Sequence, residues 1–222
     1  MVPFQAGVDR DIEILKATKS DSEELRKTLV QAFRDDPFFD WFIPQGDAHD
    51  QRLGHLIGWF LERAFQQGTV WTVPDMSAAI LVMPPGAWEL SIMQQLAELP
   101  IGIREFGARR LVQRVAGIAA LEKRAPTAPH YYVPLLGTIP SHRGRGIGSA
   151  LLQAALRLAD SEGAPTYLEN TNELNLHFYQ QSGFLIRELF KMSRRAPAMW
   201  QLWREPQAGE SLPEQTDGAR SD

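Results

Sequence analysis

Residues 138–152 read Thr138-Ile139-Pro140-Ser141-His142-Arg143-Gly144-Arg145-Gly146-Ile147-Gly148-Ser149-Ala150-Leu151-Leu152. An apolar run from Tyr131 to Ile139 feeds this glycine-rich turn, and the turn opens directly into an amphipathic pattern. Three glycines at 144, 146 and 148 put bare backbone where a helix begins. The first N–H groups of a helix have no intrahelical acceptor, and the helix dipole adds positive potential there. Such an end suits a phosphate group, and glycine removes the side chains that would keep one away.

Three kinds of glycine loop compete. A Walker loop requires a lysine after its last glycine, and none follows Gly148. A dinucleotide fingerprint requires Gly-x-Gly-x-x-Gly, and the last spacing here is wrong. No βαβαβ series continues beyond it. The remaining pattern is Arg/Gln-x-x-Gly-x-Gly/Ala after a Val/Thr-x-Pro turn, and Arg143 to Gly148 fit it at every position.

A second stretch strengthens the reading. Residues 166–184 run Thr-Tyr-Leu-Glu-Asn-Thr-Asn-Glu-Leu-Asn-Leu-His-Phe-Tyr-Gln-Gln-Ser-Gly-Phe. A short strand should end at Glu169. A short helix should carry Asn172, Asn175 and Tyr179, closed by Gly183-Phe184. Together the two stretches resemble the GNAT superfamily of N-acetyltransferases, over roughly residues 130–192. Within it the look is nearest to the puromycin N-acetyltransferase-like members, and the first half of the chain resembles the family more loosely. The resemblance implies an α/β fold: one mixed, mostly antiparallel sheet flanked by helices and splayed at a cofactor notch. It implies acetyl-CoA as co-substrate and a primary amine, expected to belong to a small molecule, as acceptor.

Site residues follow from the same resemblance. Leu136, Gly137 and Thr138 should present backbone to the acetyl-pantetheine arm, with Gly137 at a bulge. Arg143, Gly144, Arg145, Gly146, Ile147, Gly148 and Ser149 should hold the pyrophosphate. Backbone N–H groups should carry most of that binding, with one arginine side chain assisting. Asn172 and Asn175 offer amides to the cofactor, although either could instead cap a helix. Tyr179 is the candidate acid for the departing thiolate, and the competing reading is packing beneath the cofactor. Glu169 could take the amine proton through water or hold a cationic substrate; otherwise it is a solvated strand-end carboxylate. The early Asp35-Asp36-Pro37 with Trp41 reads first as a helix stop beside an aromatic cluster. Its functional alternative is an acidic acceptor wall.

Composition bounds the alternatives. The chain has 222 residues, a net charge of −4, 44% hydrophobic residues and no cysteine. No cysteine means no disulfide, thiolate metal site or cysteine nucleophile. His49, His55, His130, His142 and His177 are scattered without metal-ligand spacing, so no metal is expected; His130 could line the acceptor cleft. The acidic residues concentrate after Arg204, leaving a near-neutral body that does not suggest a nucleic-acid partner. No apolar run approaches the ~18 residues of a membrane span, and the N-terminus does not read as a signal peptide. The expectation is a cytoplasmic protein: an acetyltransferase domain over 1–204 and a disordered acidic tail over 205–222. Homodimerisation is left open. Two other functions stay in play: a non-catalytic acyl-CoA sensor and a protein or peptide amine acetyltransferase.

Periodicity places the elements. A strand is expected near residues 12–17, and helices at about 21–33 and 48–67. A hairpin follows at 69–83, then helices at 87–98 and 101–124. A strand at 130–139 leads into the loop. The helix after it should turn Ile147, Ala150, Leu151, Ala154 and Leu158 to the sheet. Strands follow at 166–169, 184–192 and 198–204.

Overall fold

The computed structural model describes residues 12–88, 115–117, 119–121 and 123–207. Most of the expected helices at 87–98 and 101–124 lies outside the described residues, as does the tail beyond 207; residues 87 and 88 form a turn. Residues 115–117 and 119–121 are helical.

Seven strands form one sheet: β1 (Leu15–Lys16), β2 (Thr69–Thr72), β3 (Ala78–Met83), β4 (Tyr131–Thr138), β5 (Thr166–Asn170), β6 (Leu185–Phe190) and β7 (Met199–Arg204). Their spatial order is β1-β2-β3-β4-β5-β7-β6. Every neighbouring pair is antiparallel except β4 with β5. The helices are α1 (Ser22–Phe33), α2 (Pro37–Phe42), α3 (His49–Gln67), α4 (Ile147–Ser161) and α5 (Leu176–Gln181).

β3 is buried at all six positions, because both of its faces are covered. Ala79, Leu81 and Met83 join Leu25 and Leu29 of α1 and Leu53, Ile57 and Leu61 of α3 in one core. Ala78, Ile80 and Val82 join α4 and Tyr179 of α5 in the other. The sheet is therefore the middle of three layers.

β4 and β5 open the site. They pair only through Tyr131 with Thr166 and Tyr132 with Tyr167. Beyond those residues the strands diverge, so the edge of β4 from Val133 onward and that of β5 from Leu168 onward face a gap. A bulge shapes the β4 limb. Leu81 pairs with Leu135 while Met83 pairs with Tyr132, so β4 carries one extra residue there. Pro134 lies at this point and has no N–H for the ladder. The extra residue reverses which face each later side chain meets: Tyr131 and Val133 point to the α4 core, then Leu135 points to the α1 core and Leu136 to α4.

Three expectations change. The bulge is at Pro134, not at Gly137, which pairs in register with Ala79. Gly137 is small for another reason: a Cβ there would lie 2.9 Å from Ala32 Cβ and 2.9 Å from Phe33 Cε2, so α1 presses on the bare strand. On α4 the fully buried stripe is Leu151, Leu152, Ala155, Leu156 and Ala159; Ala150, Ala154 and Leu158 are only half-buried. The aromatic cluster after Asp36 is a short helix with Pro37 in its first turn, a position where no N–H is needed.

Candidate active site

The cofactor limb begins at the glycines. Gly144 (φ +74°) and Gly146 (φ +84°) occupy the left-handed region that other residues avoid. Their turn delivers the chain into α4, whose first intrahelical bond runs from Ala150 N–H to Gly146 O at 3.0 Å. The N–H groups of Gly146, Ile147, Gly148 and Ser149 precede that bond, and no side chain caps the helix. Gly148 has neither a special φ nor a crowded neighbour. A Cβ there would lie 3.7 Å from Thr138 Oγ1 and 4.0 Å from Phe178 Cζ, both ordinary contacts. No described neighbour requires glycine at 148, whereas a ligand lying close on the helix end would favour a residue no larger than alanine.

The two arginine side chains differ from expectation. Arg143 Nε donates to Thr138 O at 3.2 Å, and its Nη2 donates to Ala32 O at 2.8 Å. Arg145 Nη2 donates to Ser141 O at 2.9 Å. Both guanidinium groups hold backbone, and the main-chain amides of the helix end face outward beside them. Thr138 likewise has its carbonyl engaged by Arg143, while its hydroxyl points toward Gly148.

The other limb carries the loop from β5 to α5. Asn170, buried, donates from Nδ2 to Asn172 O at 2.7 Å and accepts from Asn172 N at 3.3 Å. Asn172 Oδ1 accepts from Leu174 N at 3.1 Å, so this residue is a cap, the alternative its residue type allows. Asn175 precedes α5, is exposed and makes no side-chain cap bond. Tyr179 is buried beside Phe178 and Phe184, with ring centroids at 5.0 and 5.9 Å. The ring therefore packs within the α4 core.

Two carboxyl groups sit in or beside the gap. Glu169 lies on β5 opposite Gln201 of β7, two residues after Tyr167 and on the same face of the strand. The rings of Tyr132 and Tyr167 stack at 5.9 Å. Burial pushes the Glu169 carboxyl above the usual range, and the two phenols pull it partly back. Asp36 caps α2: its Oδ1 accepts from Phe38 N at 2.9 Å, from Phe39 N at 3.4 Å and from Thr171 Oγ1 at 3.4 Å. Its Oδ2 has no donor among the described residues. Burial raises its pKa as well, against the pull of these donors.

The Asp36 charge also reaches Tyr179. Burial first, and this carboxylate second, raise the phenol above its ordinary value. Asp36 belongs to the α1–α3 layer and Tyr179 to the α4–α5 layer. His130, by contrast, precedes the paired end of β4 and packs on Tyr167 and Trp203 at 5.2 and 5.6 Å. Asp36 lies beside the gap, where the sequence offered it as part of an acidic acceptor wall, and Thr171 and Asn170 lie beside it without having been singled out from the sequence. The helix stop read from Asp-Asp-Pro is present, since α1 ends at Phe33 and Asp36 caps α2; nothing in the sequence marks Thr171 or Asn170 as its partner or scaffold.

This combination of a bare helix end and a parallel pair that splays agrees with the family comparison. Residues 22–184 match the acetyltransferase (GNAT) family. The chain belongs to this family. Its fold is also similar to solved structures of distant sequence. One is the histone acetyltransferase HPA2 and related acetyltransferase of Corynebacterium glutamicum, 24% identical, with a TM-score of 0.69 over 90% of this chain and 99% of that one. A second is arylalkylamine N-acetyltransferase 2 of Aedes aegypti, 14% identical, TM-score 0.60, over 88% and 99% of the two chains. A third is the polyamine N-acetyltransferase of Drosophila melanogaster, 13% identical, TM-score 0.59, over 88% and 100%.

GNAT enzymes use acetyl-CoA as co-substrate, and the residues present fit it. The amides of Gly146 to Ser149 suit a diphosphate, and the open position over Gly148 admits close approach of a ligand. Among the described residues no three His, Asp or Glu side chains gather as metal ligands.

Proposed function

We propose that this chain transfers the acetyl group of acetyl-CoA directly to the primary amine of a small molecule with an aromatic or apolar portion. The observation that carries the reading is the gap between β4 and β5, which pair through only two residues, opening beside the bare N-terminus of α4.

An alkyl ammonium titrates near ~10 and has no lone pair until it loses a proton. The Oδ2 atom of Asp36 is placed to receive the ammonium. Phe38 and Trp41 of the adjoining helix supply an aromatic wall, their ring centroids 6.4 Å apart. Glu169, with its raised pKa, takes the amine proton through water, the role that a carboxyl tuned toward neutrality performs best. Main-chain N–H groups on the open edge of β4 face the charge that develops on the acyl oxygen. Tyr179, held protonated by its surroundings, gives its proton to the departing sulfur. The chain has no cysteine to form an acyl-enzyme.

Structural neighbours that act on arylalkylamines and polyamines support an amine acceptor. The motif resemblance to puromycin N-acetyltransferase-like members supports a small one. Lack of cysteine is compatible with a cytoplasmic location. The deciding experiment is a thiol-release assay with acetyl-CoA across arylalkylamines, polyamines, agmatine, amino-nucleosides and peptides. Release with an arylalkylamine and none with peptides is expected. Coenzyme binding without release on any amine would instead identify a sensor.

A further inference from the structure

We propose that Arg143 is a positioning residue that ties the cofactor loop to the acceptor carboxylate Asp36, and not a ligand of the diphosphate. The proposal rests on the transferase reading above for the role of Asp36.

Arg143 reaches 111 residues back along the chain to Ala32 O, while its Nε holds Thr138 O at the end of β4. Ala32 lies in the last turn of α1, where carbonyls lack intrahelical donors and the dipole is negative. A guanidinium there satisfies an orphan acceptor and meets favourable potential. Its planar fork serves two divergent carbonyls at fixed angles, which an ammonium does not reproduce.

Four residues after Ala32 comes Asp36, and the turn between them is tight: Asp36 N donates to Phe33 O at 3.1 Å. Gly137 adds contact from below, since Ala32 and Phe33 press on it. The joint between α1 and α2 is thus fixed to the β4 limb through Arg143 and Gly137. It is fixed to the β5 limb through the Asp36–Thr171 bond, 135 residues apart in sequence. One short segment bridges the two diverging strands, and Arg143 leaves the loop that grips the cofactor to hold it. Ordering that loop orders the joint, and with it Asp36. Arg145 makes no such link, since its bond to Ser141 stays within the loop.

The test is hydrogen exchange of the full chain with and without free coenzyme A, read by mass spectrometry, together with calorimetry and steady-state kinetics. In the wild type, coenzyme A is expected to slow exchange both in 141–149 and in 32–39. Arg143→Ala should keep the first effect and lose the second, with the coenzyme Kd changed by less than about threefold. Its KM for 2-phenylethylamine should rise about tenfold at an unmoved KM for acetyl-CoA, the split expected when the acceptor group is displaced. Arg143→Lys should not rescue, and Arg145→Ala should behave as wild type in segment 32–39. Thr171→Val, which cuts only the tether to the β5 limb, should keep coenzyme-dependent protection of 32–39, and Arg143→Gln covers the case in which Arg143→Ala folds poorly. A loss of coenzyme affinity of about tenfold or more in Arg143→Ala, or unchanged protection of 32–39, overturns the proposal. If wild type binds coenzyme A yet acetylates no amine, the transferase reading fails while the exchange data still decide the role of Arg143. If wild type does not bind it, both fall.

Discussion

Gly148 and Thr138 face each other across the mouth of the cofactor limb, where a Cβ on the glycine would stand 3.7 Å from the threonine Oγ1. The protein itself therefore tolerates a methyl group at 148, and the family pattern accepts alanine there. Gly148→Ala should fold at least as well as wild type and bind coenzyme A nearly as tightly. Gly148→Val sets two methyl groups over the amides of the helix end. It should lower coenzyme affinity about tenfold or more, roughly 1.4 kcal/mol, with little change in melting temperature. Calorimetry beside thermal melting checks this, and equal affinities for valine and glycine would remove the helix end from the cofactor site.

Tyr179→Phe isolates the phenol from the packing. The ring contacts with Phe178 and Phe184 survive in phenylalanine, so the fold should persist. Without the hydroxyl, kcat should fall about 10²-fold, the usual range for loss of a positioned acid, at a nearly constant KM for acetyl-CoA. Unchanged kcat under conditions where chemistry limits turnover would leave Tyr179 a packing residue.

Glu169→Gln should separate activity from stability. The folded-state pKa is raised, chiefly by burial, so the native protein holds this proton more tightly than the unfolded chain. Stability therefore falls as pH rises from the unfolded value near ~4.3 through the folded one, and the cost is fully present above both. Glutamine is neutral at every pH. The variant should melt at a higher temperature than wild type at pH 8 and at the same temperature at pH 4. Its kcat/KM for the amine should drop about 10²-fold. A lower melting temperature at pH 8 would contradict the assigned direction.

The frame of the molecule also depends on one buried ion pair. Arg204 Nη1 and Nη2 donate to Asp160 Oδ1 and Oδ2 at 2.7 and 2.8 Å, and its Nε donates to Ser182 O at 3.1 Å. This ties α4, β7 and the turn after α5 together. Arg204→Met should cost about 3 kcal/mol, because it leaves the Asp160 charge without its partner. Arg204 holds the Asp160 carboxyl below its usual value, so the contribution is complete above about pH 4 and is lost as pH falls through the lowered folded value. Denaturant melts at pH 7 and pH 2.5 should show the gap between wild type and variant narrowing at the acid end.

Much of this was legible in the amino-acid order because its causes are local. Glycine spacing at 144–148 demands left-handed backbone and a helix start, and the Leu53-Ile57-Leu61 stripe demands a buried helix. What escaped depends on residues far apart in sequence. The bond from Arg143 to Ala32 O had no sign in the sequence, because that partner is a main-chain atom 111 residues away. Gly137 looked like a bulge because the pressure of α1 on β4 leaves no mark in the strand itself. The rotation of the α4 stripe from Ala154 and Leu158 to Ala155 and Ala159 is a matter of which of two adjacent apolar columns the sheet selects, and periodicity alone does not choose.

Asp36 allows the sharpest separation of structure from chemistry. As the cap of α2 it needs only a side-chain oxygen, and asparagine serves there as well as aspartate. As the receptor for an ammonium it needs a charge. Asp36→Ala should lose both roles, with a stability loss of about 1 kcal/mol. Asp36→Asn should keep the cap and be no less stable at pH 7, since burial makes this charge costly in the native state. Yet its KM for a cationic amine should rise about tenfold, because a buried carboxylate–ammonium contact is replaced by a neutral one. The Tyr179 phenol supplies an independent reading. With the carboxylate gone, one of the two causes that raise it disappears. The alkaline limb of kcat should therefore move to lower pH in Asp36→Asn, and a cap with no electrostatic role would leave that limb where it is in the wild type.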